Sequence, residues 1–233
     1  GQISAALYGG SEDERARMPL FGVTGTNGKT TTSFLAAALL EALGRRSGIV
    51  GTILIRAGER EVPSTLTTPE ATQLHALMAL MREEEVDTAV MEVSSHAVAY
   101  QRIAGLRYAV AGFTNLTQDH LDMHGSMQEY FAAKAGLFDP ARTDHAVITL
   151  DGGEGPRWGV AMARAAGASM GPPTTEEPMA LQLFIGNKNY SSWSMRPWLA
   201  LRVSGKKVAA VAGLAAVAAY LVVSGAPPPA ERA

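Results

Sequence analysis

Glycine, lysine and threonine residues lie together in one short stretch near the start of the chain. The stretch reads Gly22-Val-Thr-Gly25-Thr-Asn-Gly28-Lys29-Thr30-Thr31, after an apolar run and before a helical pattern. In a strand–loop–helix unit, backbone N–H groups and the helix N-terminus form a cradle for anions, the lysine reaches the phosphates, and the next hydroxyl can bind Mg²⁺. The stretch therefore predicts a phosphate-binding loop. The alternative is a Gly-rich turn with a solvated lysine.

A second group of candidate residues is acidic or imidazole-bearing. Glu92 ends the apolar run at residues 88–93, and a carboxylate at the carboxyl end of a parallel strand faces the ligand crevice of an open sheet. Mg²⁺ prefers oxygen ligands of this kind. His120 lies in a stretch rich in Asp and His, which is either a ligand loop or an ordinary polar loop. For Glu92, the alternative is a solvated acid at the end of a strand.

The elements that must position these residues alternate between apolar runs and helical patterns. This alternation predicts the α/β class, with a mostly parallel sheet flanked by helices. Leu74, Leu77, Met78 and Met81 predict the buried face of one helix, and Thr68 and Pro69 predict its N-cap and first residue. A hairpin is expected at residues 55–62. We expect strands at residues 20–23, 49–55, 88–93, 110–114 and 146–150, and helices at 30–43, 70–85, 127–137 and up to about 166.

Composition excludes several classes of function. The 233 residues include no cysteine, so disulfides, thiolate metal sites and thiol nucleophiles are excluded, and a cytoplasmic protein is expected. The formal charge of −2 gives no basic field for a nucleic-acid partner. The first ten residues lack the pattern of a signal peptide and resemble a chain entered in its middle.

Further motifs follow the phosphate loop in a specific order. They are Thr67-Thr-Pro-Glu70, Met91-Glu-Val-Ser-Ser-His96, Asn115-Leu-Thr-Gln-Asp-His-Leu-Asp-Met-His-Gly125 and Ala132-Ala-Lys134. Their order and spacing resemble the central ATP-binding domain of the Mur ligase family, of the UDP-N-acetylmuramoyl-tripeptide synthetase type, over about residues 1–167. The resemblance implies an ATP- and Mg²⁺-dependent amide-bond ligase of peptidoglycan synthesis.

The resemblance also implies site residues. The ATP-binding residues would be Gly25, Thr26, Asn27, Gly28, Lys29, Thr30 and Thr31; the catalytic residues would be Lys29, Glu92, His120 and Lys134. Magnesium would be held by Thr30, Glu92, His120 and a Lys134 that CO₂ has carbamylated. The substrate would contact Thr67, Thr68, Ser94 and Arg102. Without the resemblance, Lys134 would be an ordinary surface lysine, Thr68 and Ser94 helix caps, and Arg102 a surface residue. Neither Tyr100 nor Gln101 is assigned as a ligand.

In such ligases a carboxylate of UDP-N-acetylmuramoyl-L-Ala-D-Glu takes the γ-phosphoryl group of ATP, and an amino acid, diaminopimelate or lysine, then displaces phosphate. We expect residues 1–19 to be a remnant of an N-terminal domain and linker, and residues 20–167 to be the central domain. Because the other two domains of such enzymes are not expected in this chain, we expect ATP binding with little turnover.

The remaining segments are expected to be unrelated to the central domain. Residues 168–178 have linker composition. The segment at 179–205 follows, and its residues 179–203 resemble the first strand and the start of the first helix of a glutathione transferase. The resemblance implies that Ser191 or Ser192 would face the thiol of glutathione. Residues 206–233 combine an Ala/Val-rich helix with a Pro-rich end. A helix at 208–223 would span about 24 Å, so membrane contact is possible but not favoured. The alternatives are therefore a glutathione transferase-like fusion and a non-enzymatic nucleotide-binding or membrane-tethered module.

Overall fold

The structure, a computed structural model, describes residues 1–9, 17–150 and 157–167, together with the backbone of two short strands farther along the chain. The helices are α1 (Gln2–Tyr8), α2 (Lys29–Ala42), α3 (Ala71–Glu83), α4 (Ser95–Ala99), α5 (Leu121–His124), α6 (Met127–Ala135) and α7 (Trp158–Ala165), with a 3-10 turn at Gly136–Phe138. The strands are β1 (Leu20–Thr24), β2 (Ser47–Val50), β3 (Ile55–Ala57), β4 (Arg60–Val62), β5 (Thr88–Glu92), β6 (Tyr108–Phe113), β7 (Thr143–Leu150), β8 (Leu183–Gly186) and β9 (Trp198–Ala200).

The strands form one sheet in the order β4-β3-β2-β5-β1-β6-β7-β8-β9. Strands β2, β5, β1, β6, β7 and β8 run parallel, and β3, β4 and β9 are antiparallel to their neighbours. This confirms the predicted α/β class and the hairpin at residues 55–62. The carboxyl ends of β1, β5 and β6 therefore meet at one edge of the sheet.

Alternation along the strands gives the sheet two buried faces. Phe21 is in register with Val90 on β5 and Val110 on β6, and all three pack with Ala36 and Leu40 of α2. The opposite face forms the larger core, in which the predicted apolar stripe of α3 is buried. Each large apolar side chain removed from water contributes about 1.5–3 kcal/mol, so both layers hold the central strands in place.

The prediction of one strand at residues 49–55 is wrong. Strand β2 ends at Val50, the chain turns through residues 51–53, and Ile55 begins β3, which runs antiparallel to β2. A Cβ at Gly51 would lie 2.4 Å from Glu92 Oε1, so a side chain here would force the Glu92 carboxylate to shift. An apolar run read by composition does not reveal a turn whose contacts are with a residue far away in the sequence.

The predicted start of α3 is also wrong. Glu70, not Thr68, occupies the N-cap position, and Pro69 precedes the helix. The Thr68 hydroxyl instead donates to the Glu92 carbonyl oxygen and accepts from the Ser94 N–H, at 2.8 and 3.0 Å. Because Thr68 is buried at the end of β5, tertiary partners replace the local capping bond.

Two strands come from the segment predicted to be separate from the domain. Strand β8 pairs parallel to β7, and β9 pairs antiparallel to β8, so both extend the same sheet. Residues 198–200 form a strand where the resemblance to glutathione transferases implies the start of a helix. Backbone pairing at the β7 edge satisfies groups that would otherwise be left open. Residues 168–178, Ser191, Ser192 and the segment 208–223 lie outside the described residues.

No helix in the described part of the chain has the length and apolar character needed to cross a membrane.

Candidate active site

Two glycines shape the loop between β1 and α2. Gly25 and Gly28 have φ values of 149° and 86°, a backbone conformation that favours glycine. A Cβ on Gly25 would lie 1.9 Å from Thr114 Oγ1, so a side chain is also excluded by space. The loop then enters α2, whose first N–H groups have no partner within the helix. These features give the predicted phosphate loop the geometry of an anion cradle.

The segment after β6 holds this loop. Asn115 Oδ1 accepts from the Asn27 N–H at 3.0 Å, and the Thr114 hydroxyl donates to the Asn27 carbonyl at 2.7 Å. Thr117 exchanges two bonds with the Thr26 hydroxyl, at 3.0 and 3.2 Å. The conformation of the loop is therefore fixed by hydrogen bonds to the segment that follows β6. Sequence reasoning did not assign roles to Thr114, Asn115 and Thr117, although Asn115 opens one of the motifs.

Lys29 folds over the loop that precedes it. Its ammonium donates to the carbonyl oxygens of Gly25 and Thr26 at 3.0 and 2.9 Å. Burial lowers the pKa of Lys29, and the negative charges of Glu92 and Asp119 oppose that shift. A cation is thus held directly above the loop, where the phosphates of a nucleotide would lie.

Glu92 is completely buried at the end of β5. Its Oε2 accepts from the Thr30 hydroxyl at 2.8 Å and from the Thr52 hydroxyl at 3.2 Å, and its Oε1 accepts from the Thr52 N–H at 2.9 Å. Every one of these donors is neutral. Two of the residues predicted to hold magnesium, Glu92 and Thr30, are therefore in contact, whereas Thr52 was missed because its turn was interpreted as strand.

Lys134 is buried rather than exposed on a helix surface, with a relative accessibility of 1%. Its ammonium donates to the Gly25 carbonyl at 2.8 Å, the same oxygen that accepts from Lys29, and lies 4.5 Å from the centre of the Tyr130 ring. Burial, followed by the positive charge of Lys29, lowers the pKa of Lys134 to about 7. A large share of this lysine is therefore neutral near physiological pH.

His120 lies on the exposed rim of the site. It has a positive φ of 50°, and its ring stands edge-on to those of His96 and Tyr130. Asp119 Oδ1 accepts from the His120 N–H at 2.9 Å. The helix that His120 precedes is anchored at its other end by His124, whose ring nitrogen lies 2.9 Å from the Ser95 hydroxyl. His120 is thus held on a short, tethered element beside the loop.

The four predicted substrate residues lie around the end of β5. The Thr67 and Thr52 hydroxyls are 3.0 Å apart, and Ser94 caps α4 by accepting from the Ala97 N–H at 3.1 Å. Arg102 donates to the Thr68 carbonyl at 3.2 Å and pairs with Glu70 at 2.5 Å, while its buried Nε has no partner among the residues that the structure describes. Arg102 is therefore a partly used anion-binding group, not a surface residue.

The oxygen donors available for a cation are few. Among the described residues, no three His, Asp or Glu side chains lie together as a set of metal ligands. Thr30 and Glu92 are nevertheless joined at the mouth of the phosphate loop. Mg²⁺ commonly takes one or two protein oxygens, together with waters and substrate phosphates, so this donor set fits magnesium better than zinc.

Comparisons with known proteins show which family the chain is similar to. A family model described as the Mur ligase middle domain matches residues 23–170. The UDP-N-acetylmuramyl-tripeptide synthetase of Leifsonia xyli subsp. xyli is 51% identical over 151 residues, which cover 65% of this chain and 29% of that protein. The UDP-N-acetylmuramoyl-L-alanyl-D-glutamate–2,6-diaminopimelate ligase of Corynebacterium efficiens is 45% identical over 178 residues, covering 75% and 32%.

Solved structures show the same fold. A UDP-N-acetylmuramoyl-L-alanyl-D-glutamate–2,6-diaminopimelate ligase superposes with a TM-score of 0.56 and 29% identity, covering 75% of this chain and 35% of that one. The Mycobacterium tuberculosis folylpolyglutamate synthase complexed with ADP gives a TM-score of 0.51 at 22% identity, covering 72% and 44%. The chain spans about a third of the length of the relatives that it matches.

Proposed function

This chain belongs to the Mur ligase family, and we propose that it is the ATP-binding part of a ligase that adds an amino acid to UDP-N-acetylmuramoyl-L-Ala-D-Glu during peptidoglycan synthesis. The amino acid would be diaminopimelate or lysine, and the reaction would take place in the cytoplasm. The observation that carries the proposal is the convergence of Lys29 and Lys134 on the Gly25 carbonyl beside the Thr30–Glu92 pair. Such an arrangement serves a phosphorylated ligand rather than stability.

The reaction would proceed in two steps. A carboxylate oxygen of the substrate bonds to the γ-phosphorus of ATP while the bond to the bridging oxygen breaks, which gives an acyl phosphate and ADP. The amine of the amino acid then attacks the acyl carbon, phosphate leaves, and the nitrogen loses a proton. In the first step the protein chiefly positions the groups and neutralises charge. Lys29 would donate to the phosphate oxygens in place of its present carbonyl partners.

Glu92 and Thr30 are the residues that would hold magnesium, with His120 at the rim. When bound, the ion would neutralise charge on the transferring phosphoryl group. Glu92 suits this role because its carboxylate is buried yet accepts only from neutral hydroxyl and N–H donors. A buried carboxylate that forms no direct ion pair with another described residue is costly to keep, which supports a ligand role.

Lys134 would act as a carbamate. CO₂ bonds to the neutral amine and one proton is released, so a neutral side chain becomes an anionic one. At pH 8 a lysine of pKa about 7 is about nine-tenths neutral, whereas an ordinary lysine is less than about 1% neutral. The carbamate would supply negative charge between Lys29 and the metal. The low pKa and the burial of Lys134 support this role.

Titration calorimetry with Mg·ATP tests the proposed function. Lys29→Ala should weaken binding at least about tenfold, or about 1.4 kcal/mol, because it removes a charge-assisted phosphate contact. Arg45→Ala is a matched control, since it removes an exposed cation at the opposite end of the sheet. Equal affinity of the Lys29→Ala variant and the unsubstituted chain would contradict the proposal. Binding is the readout because the chain spans about a third of the length of its relatives.

A further inference from the structure

Thr52 lies between two groups of the site and has no assigned role. It follows Gly51 in the turn after β2, the strand next to β5. Its N–H donates to Glu92 Oε1 at 2.9 Å. Its hydroxyl oxygen lies 3.2 Å from Glu92 Oε2 and 3.0 Å from Thr67 Oγ1. Thr52 therefore touches a residue on the proposed metal side and a residue on the proposed substrate side.

The hydroxyl of Thr52 cannot serve both acceptors at once. A hydroxyl carries one hydrogen and two lone pairs, so it donates either to Glu92 or to Thr67. A bond to a carboxylate is the stronger of the two while that carboxylate keeps its full charge. A cation on Glu92 would draw charge from Oε2 and weaken it as an acceptor. The hydrogen would then turn towards Thr67.

The local backbone is built to bring Thr52 this close. Gly51 passes so near Glu92 that a Cβ would meet Oε1 at 2.4 Å, whereas the Thr52 side chain sits on the exposed side of the turn. The Thr52 N–H consequently fixes Glu92 Oε1, and the Thr52 hydroxyl can donate either to Glu92 Oε2 or to Thr67 Oγ1. Losing the hydroxyl alone would keep this N–H bond and the fold.

We propose that Thr52 is a positioning residue: its N–H fixes Glu92 for the cation, and its hydroxyl couples the state of Glu92 to Thr67. The inference rests on the proposed function, because it takes Glu92 as a magnesium ligand and Thr67 as a substrate contact. When Thr67 accepts from Thr52, its own hydrogen is free to donate to an anionic oxygen of the substrate. Cation binding would in this way free the Thr67 hydroxyl to donate to a carboxylate or phosphate group of the substrate.

Calorimetry with ATP, in Mg²⁺ and separately in EDTA, tests this role. Thr52→Val removes the hydroxyl at nearly constant volume. We expect it to raise the Mg²⁺-dependent gain in ATP affinity by about three- to tenfold, because the cation no longer has to displace a hydrogen bond to a charged group, while affinity in EDTA changes less than about twofold. Thr52→Ser should return the gain to that of the unsubstituted chain. Thr88→Val is the matched control, because the Thr88 hydroxyl bonds the Asp87 carbonyl at the other end of β5.

A double-substitution cycle tests the coupling to Thr67. Thr67→Val should change the Mg²⁺-dependent gain in the unsubstituted chain and leave it unchanged in the Thr52→Val background. Additive effects would overturn the coupling. An unchanged gain in Thr52→Val, or a gain in Thr52→Ser equal to that in Thr52→Val, would overturn the positioning role, while a loss of affinity in Lys29→Ala would still support the proposed function. No Mg·ATP binding by the unsubstituted chain would overturn both.

Discussion

The two ends of strand β5 carry carboxylates in opposite settings. Asp87 stands just before the strand, is partly exposed, and pairs with Arg45 at 3.0 Å. Neighbouring Arg46 pairs in the same way with Glu85 at 2.9 Å. Glu92 closes the strand at its other end, is wholly buried, and takes its hydrogen bonds from the neutral donors of Thr30 and Thr52.

Lys134, near the same end of the sheet as Glu92, has a comparable setting. It is buried, and its ammonium donates to a carbonyl oxygen rather than to a carboxylate. Exposed ion pairs gain little because water screens them, whereas buried charges are costly unless they are fully compensated. Charges at the amino end of β5 therefore form surface ion pairs, whereas those at the carboxyl end are the charges that we propose to bind a ligand.

The largest effect is expected from Lys134. Its pKa is about 7 in the folded chain and about 10.4 in the unfolded chain, so between these values only the unfolded chain keeps the proton. Stability should therefore rise with pH by up to about 1.4 kcal/mol per unit, and fall as pH drops towards 7. Lys134→Met should lack this contribution. The free energy of unfolding of both proteins can be measured by denaturant unfolding in CO₂-free buffer at pH 7.5 and 9.0. Between these pH values it should rise by about 2 kcal/mol more in the unsubstituted chain than in Lys134→Met.

Equal pH dependence in the two proteins would show that Lys134 titrates as a surface residue. The same pair of proteins also checks the carbamate. With ¹³C-bicarbonate at mildly alkaline pH, the unsubstituted chain should give a carbamate carbon signal that is absent in Lys134→Met. A signal that persists in the variant would assign the carbamate to another amine.

A smaller effect is expected from exchanging the two carboxylates for amides. Glu92→Gln should weaken Mg·ATP binding about tenfold or more, near 1.4 kcal/mol, because an amide is a poor magnesium ligand. Asp87→Asn, the matched change at the other end of β5, should leave the affinity within about twofold. Calorimetry compares the two. Similar losses in both variants would remove the functional distinction between the ends of the strand.

The smallest effect is expected from the exposed pair of Arg46 and Glu85. Their side chains are 48% and 83% exposed, so the coupling free energy should be about 0.2–1 kcal/mol and should shrink in 0.5 M salt. A double-mutant cycle with Arg46→Ala and Glu85→Ala, followed by urea unfolding, measures it. A coupling free energy above about 2 kcal/mol would show that this pair is not a weak surface ion pair.

Several parts of the fold could be predicted because their signals are local. The stripe of Leu74, Leu77, Met78 and Met81 predicted the buried face of α3 from helical spacing, and all four are buried. The hairpin around Gly58 also followed from its own residues. The turn at Gly51 did not, since the contact found there is tertiary, with the Glu92 side chain of a neighbouring strand. The capping role predicted for Thr68 failed for the same reason, because its partners are Glu92 and Ser94.

The glycine-rich loop before α2 and the alternation of strands and helices could be read from the chain alone, since both depend on residues that are adjacent or periodically spaced. The burial of Lys134 against Gly25, 109 residues away, and the contacts of Thr52 with Glu92 and Thr67 could be seen only in the folded structure. Those contacts depend on which strands become neighbours in the sheet. Burial and the charge of Lys29 then lower the pKa of Lys134. Neither cause can be predicted from the residues next to Lys134 in the sequence.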